Sequence, residues 1–130
     1  MTKAFSWLAK VGPRPRMALW LLYLASWSLA LLTPRPIEVA QAVLPPETSF
    51  YYGKSLHVCA YAGLTVLTGW LLVCHRCRWL LLLGVSLHAF ATEYLQNYVP
   101  LRTGSWRDVG LDHIGIVLGF ALTRTWWWRE

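Results

Sequence analysis

Four long apolar stretches divide the chain. Residues 17–34 run eighteen positions without a charged side chain, and residues 58–74 run seventeen. A third stretch starts at Trp79 and runs thirteen positions to Ala91 with His88 as its titratable group, then continues through Thr92 and Glu93 to Pro100. The fourth, residues 109–128, contains Asp112, His113 and Arg124. A helix that crosses a bilayer needs about 20 mainly apolar residues at about 1.5 Å of rise each. The pattern therefore predicts an all-α membrane protein, a bundle of four transmembrane helices. The third and fourth spans fit only if their polar ends belong to the helices. Positions 75–78 are the turn of an antiparallel hairpin between spans two and three. Pro36, Pro45 and Pro46 bracket residues 37–44, where Ile37, Ala40 and Leu44 fall on one side at helical spacing. That segment predicts a short interfacial helix in the first outer loop, either a lid or a plain connector.

Composition agrees with a lipid-facing exterior. Hydrophobic residues make up 56% and charged residues 14%, against about 25% charged in a usual soluble domain. Nine tryptophans suit the membrane–water interface. The net charge of +6 points to anionic lipid head groups. Nucleic acid is not an expected partner, because aromatic and basic residues do not interleave as on a binding platform. Lys and Arg counts orient the chain. With the N-terminus inside, the inner pieces carry Lys3, Lys10, Arg14, Arg16, Arg76, Arg78, Arg124 and Arg129; the outer pieces carry Arg35, Lys54, Arg102 and Arg107. Both termini are then cytoplasmic. Residues 1–16 form a basic N-terminus, 17–128 a single domain and 129–130 a tail. The first apolar stretch exceeds the usual h-region of about 7–15 residues and reads as a span, not a cleaved leader. Cys59, Cys74 and Cys77 read as thiols near a membrane boundary, since no second cysteine pair completes a four-cysteine site.

Seven polar residues intrude at the ends of these spans: Lys54, His57, Glu93, Gln96, Arg102, Asp108 and Asp112. A charge near hydrocarbon costs on the order of 2.5–3.5 kcal/mol at a helix centre and marks a functional site by default. The four-span topology gathers all seven at the outer face. Lys54, His57 and Tyr61 share one helix face by their spacing of three and four. Lys54 either receives an anion or snorkels to the interface. His57 is a general acid or base, or a packed histidine. Glu93, with Gln96 one turn on, needs a partner among Lys54, Arg102 and His57. The Arg102 guanidinium suits phosphate or carboxylate. Ser105-Trp106-Arg107-Asp108 has the form of a helix cap, which gives Asp108 a structural role beside substrate binding. Asp112 lies one turn deeper, on the face of Gly115 and Gly119, whose spacing lets another helix approach closely. His88 and His113 read as packing or hydrogen-bonding residues. Spacings along the chain predict neither a metal site nor a cofactor.

Lys54-x-x-His57-x-x-x-Tyr61, Glu93-x-x-Gln96, Pro100-x-Arg102 and Asp108-x-x-x-Asp112-x-x-Gly115-x-x-x-Gly119 together resemble the VanZ-like family of small bacterial membrane proteins. The resemblance covers roughly residues 50–120; the order and spacing of the elements carry it. Asp112 departs from the asparagine common in that family. The resemblance implies a multi-helix inner-membrane protein with its polar motif outside, in a family named for an accessory of glycopeptide resistance and associated with the cell envelope. It implies no particular reaction. Three functions compete. The polar residues bind or modulate the head group of an envelope lipid or lipid-linked cell-wall precursor. Alternatively, His57 and Glu93 move protons in an enzyme whose phosphate-bearing substrate is held by Lys54, Tyr61, Gln96, Arg102, Asp108 and Asp112. Or the charges simply lock the helices together. The oligomeric state is left open.

Overall fold

Proline and a hydroxyl cap punctuate the chain into helices. In the computed structural model, which describes residues 10–128, Pro13 opens α1 (Pro13–Leu31), Pro36 lies at the start of α2 (Arg35–Val43) and Pro46 opens α3 (Pro46–Trp70). Proline's fixed φ and missing N–H are harmless in a first turn. After α4 (His75–Gln96), α5 (Trp106–Trp127) starts at Ser105, whose hydroxyl accepts the Asp108 amide at 3.2 Å. The described residues are all-α, with five helices and no strand. Lys3, Arg129 and the tail at 129–130 lie outside them.

The short helix expected at 37–44 is present as α2. The hairpin turn is displaced. The chain reverses at residues 71–74, and residues 75–78 form the first turn of α4. Two local interactions explain the shift. Cys74 caps α4, its sulfur accepting the Cys77 amide, and the two close into a disulfide with Cα atoms 5.2 Å apart. They are therefore not the two separate thiols expected; Cys59 is free and exposed. Arg78 is then buried and pointed back at the chain reversal. It donates to the carbonyls of Leu71 and Val73 at 3.1 and 3.3 Å, and to those of Trp126 and Trp127 at 3.0 and 3.2 Å. Arg16 works similarly, donating to the Trp70 carbonyl at 2.8 Å while its guanidinium stacks over the Trp70 ring. Both arginines thus satisfy carbonyls that a helix end leaves open.

The scaffold of the site is the α3–α5 pair. A Cβ on Gly115 would strike the Val58 carbonyl, and one on Gly119 would meet Thr65 Cβ at 2.8 Å. The glycines therefore let the two helix backbones touch, as their spacing predicts. No helix among the described residues is long and apolar enough to cross a membrane. Length is not what falls short, because α1, α3, α4 and α5 have 19, 25, 22 and 22 residues. Charged and polar side chains within each helix lower its average hydropathy, and many of these point inward: Arg16, Thr65, Thr68, Arg78, Glu93, Gln96, Asp108 and Asp112 are all buried.

Candidate functional site

The close contact of α3 with α5 sets two charged residues of each helix face to face. Lys54 and Asp108 form an ion pair. One turn deeper, His57 Nδ1 lies 2.9 Å from Asp112 Oδ1. Asp108 thus sits in the third position after the cap but does not complete the reciprocal half of a capping box; its carboxylate is committed to Lys54. Ser105 N–H instead donates to Glu93 Oε2 of α4 at 2.9 Å, which ties the start of α5 to α4. A Cβ on Gly104 would collide with the Glu93 carbonyl, so glycine permits that close approach. The other oxygen of Glu93, Oε1, stands 3.6 Å from His57 Nδ1. Glu93 is 4% exposed and Asp112 0%. Glu93 Oε1, Asp112 Oδ2 and Gln96 Nε2 are buried without a hydrogen-bond partner.

Arg102 takes a different role from the one its guanidinium suggests. Leu101 adopts a positive φ of 62°, a left-handed conformation costly for a β-carbon-bearing residue. Arg102 then donates from Nε to the Thr33 carbonyl at 2.9 Å and from Nη2 to the Ala30 carbonyl at 2.6 Å. It caps the carbonyl end of α1 while lining the cleft. Burial lowers its pKa and the nearby Glu93 charge raises it. Tyr61 also turns elsewhere. Its hydroxyl meets Thr92 Oγ1 and His88 Nδ1, both at 3.0 Å, and His88 Nε2 meets Ser28 Oγ at 2.8 Å. This chain joins α3, α4 and α1. His113 bonds Ser86 at 2.9 Å and the Val109 carbonyl at 2.8 Å, in keeping with a hydrogen-bonding role.

Lys54, His57, Gln96, Arg102 and Asp108 line one cleft of about 250 Å³. Trp27, Leu31, Phe50, Leu56 and Leu101 supply its apolar walls, and Pro36, Ala40 and Gln41 of α2 lie along it. Glu93 and Asp112 sit behind His57. A larger cavity of about 390 Å³ lies by Arg16, Trp70 and Arg78 at the hairpin end, where both arginines are engaged with carbonyls. The fold thus brings together the seven polar residues that the sequence scatters, with Arg102 as much a tie to α1 as a cleft residue.

A sequence model described as VanZ/LLP1 matches residues 17–128. The chain belongs to the VanZ/LLP1 family. The match extends beyond the motif region to most of α1 and to the whole of α5. No curated protein and no solved structure matches the chain. In this VanZ/LLP1 protein, what spacing along the chain does not reveal is the set formed across three helices. His57, Glu93 and Asp112 each offer one ligating atom, and those atoms lie within 4.8 Å of one another. A search for metal spacings within a single helix misses it, because one residue comes from each of α3, α4 and α5.

Proposed function

We propose that this VanZ/LLP1 protein is a multi-pass protein of the bacterial inner membrane that binds the anionic head group of an envelope lipid or lipid-linked cell-wall precursor in the cleft beside Lys54. The inverted distribution of polarity supports the membrane placement. Leu22, Leu29, Leu80, Val117 and Leu122 are 64%, 67%, 67%, 65% and 79% exposed, while Glu93, Gln96 and Asp112 are buried. In water this arrangement would strand contiguous apolar faces; in lipid it is favourable. Helices α1, α3, α4 and α5 are then the spans, with both termini cytoplasmic and the polar cleft at the outer face.

The cleft itself carries the binding reading. It joins a cation at Lys54 and an unpartnered buried amide N–H at Gln96 to apolar walls from Trp27, Leu31 and Leu56. That combination fits an amphiphile, whose head group meets the donors while its chain runs along the walls. Helix α2 is placed to cover it. The test is native mass spectrometry of protein released from detergent. The pair Lys54→Met with Asp108→Asn removes both charges without leaving one buried alone. Wild type should retain an anionic lipid; the paired variant should retain at least about tenfold less, the equivalent of about 1.4 kcal/mol. Equal retention sinks the proposal.

A second reading, an enzyme acting on a phosphate-bearing lipid, is favoured by one observation. The Asp112 carboxylate holds His57 Nδ1 at 2.9 Å, which fixes the imidazole orientation as a general base requires. Turnover of lipid phosphates by wild type that disappears in His57→Gln, with lipid retention intact, would select it.

A further inference from the structure

Three ligating atoms from three helices meet at one buried point behind the cleft. His57 Nδ1 lies 2.9 Å from Asp112 Oδ1 and 3.6 Å from Glu93 Oε1, and one donor atom of each residue lies within 4.8 Å of the others. Donor atoms held about 2.0–2.2 Å from one tetrahedral metal sit roughly 3.3–3.6 Å apart, so small side-chain shifts convert the observed triangle into a coordination face. Glu93 Oε1 and Asp112 Oδ2 are buried with no hydrogen-bond partner. A carboxylate oxygen in that state is costly unless a cation meets it.

Charge balance points the same way. When both are ionised, Glu93 and Asp112 bring two negative charges into the core, and one imidazolium offsets half of them. Among the described residues Lys54 pairs with Asp108 and makes no ion pair with Glu93 or Asp112. A divalent cation with a neutral imidazole closes the balance. The outer shell is also in place, because Ser105 N–H holds Glu93 Oε2 at 2.9 Å and so fixes the carboxylate that would ligate through Oε1.

We propose that His57 Nδ1, Glu93 Oε1 and an Asp112 carboxylate oxygen bind one divalent transition-metal ion of the Mn²⁺ and Zn²⁺ class. One imidazole with two carboxylates suits these ions better than Ca²⁺, which takes six to eight oxygens. The open coordination positions take water or an oxygen of a bound molecule. This site goes beyond head-group binding and stands whether or not the cleft holds a lipid.

Mn²⁺ is the probe of choice, because the exposed Cys59 thiol competes for Zn²⁺. Full-length protein purified in detergent and stripped with chelator is titrated with Mn²⁺ and followed by electron paramagnetic resonance. The expected result is one saturable Mn²⁺ per chain, displaced by excess Zn²⁺. Affinity should fall by at least about tenfold in Glu93→Gln and in Asp112→Asn. Should either variant misfold, wild type still decides: pulsed measurements of the bound Mn²⁺ should show coupling to a single imidazole nitrogen. No saturable binding by folded wild type, no nitrogen coupling, or unchanged affinity in both folded variants overturns the site and leaves an ion pair only.

Discussion

Replacing Arg78 with alanine should cost the fold at least about 3 kcal/mol, because hydrogen bonds to a charged group contribute about 1.5–3 kcal/mol each. The guanidinium donates to carbonyls of Leu71 and Val73 in the hairpin turn and of Trp126 and Trp127 at the end of α5. Arg78 is buried, at 4% exposed, so its loss leaves these carbonyls without their donor. Arg78→Lys should recover less than half of the loss, because a single ammonium cannot span two chain ends as the planar fork does. Denaturant titration in detergent, read by tryptophan fluorescence, measures both. A change within about 0.5 kcal/mol for Arg78→Ala, the ordinary range of surface substitutions, would show that Arg78 is a dispensable inner-face charge.

Removing His57 should be similarly severe. In His57→Leu, Glu93 and Asp112 remain buried beside each other without the imidazole between them. Deleting one member of a buried charge set costs about 3–5 kcal/mol. The diagnostic is the repair: adding Asp112→Asn removes one of the stranded charges and should return more than half of that loss. Strictly additive effects of the two substitutions, measured with chelator present, would mean that His57 and Asp112 do not act as a unit.

Much of this arrangement is legible in the sequence. Apolar runs locate α1, α3 and α5, and the proline-bracketed segment locates α2. Gly115 and Gly119 mark the face that meets α3, and the shared direction of α3 and α5 explains why Lys54 meets Asp108 and, one turn on, His57 meets Asp112. What escapes is long-range bonding to backbone. Arg16, Arg78 and Arg102 read as charges to be counted by side, yet each reaches carbonyls at a helix end or turn, which carry no sequence signature. The hairpin turn is misplaced by four residues for the same reason: Arg78 looks like a loop cation but belongs inside α4. Tyr61 shares its helix face with His57 by spacing. Its hydroxyl reaches Thr92 and His88 instead, since partners on α4 lie closer than the cleft. The hydrogen bond from Ser105 N–H to Glu93 depends on how residues 97–105 fold back over α4, which the local pattern does not encode.

The polar residues therefore divide into two layers. Arg102 and Tyr61 hold helices together, while Lys54, Gln96 and the His57–Glu93–Asp112 set face or back the cleft. Density from the protein in lipid nanodiscs tests whether this cleft is a head-group site. An elongated feature is expected, its head within hydrogen-bonding distance of Lys54 Nζ or Gln96 Nε2 and its chain along Trp27 and Leu31. A cleft filled by its own side chains, in a map that resolves lipids elsewhere around the helices, would contradict it.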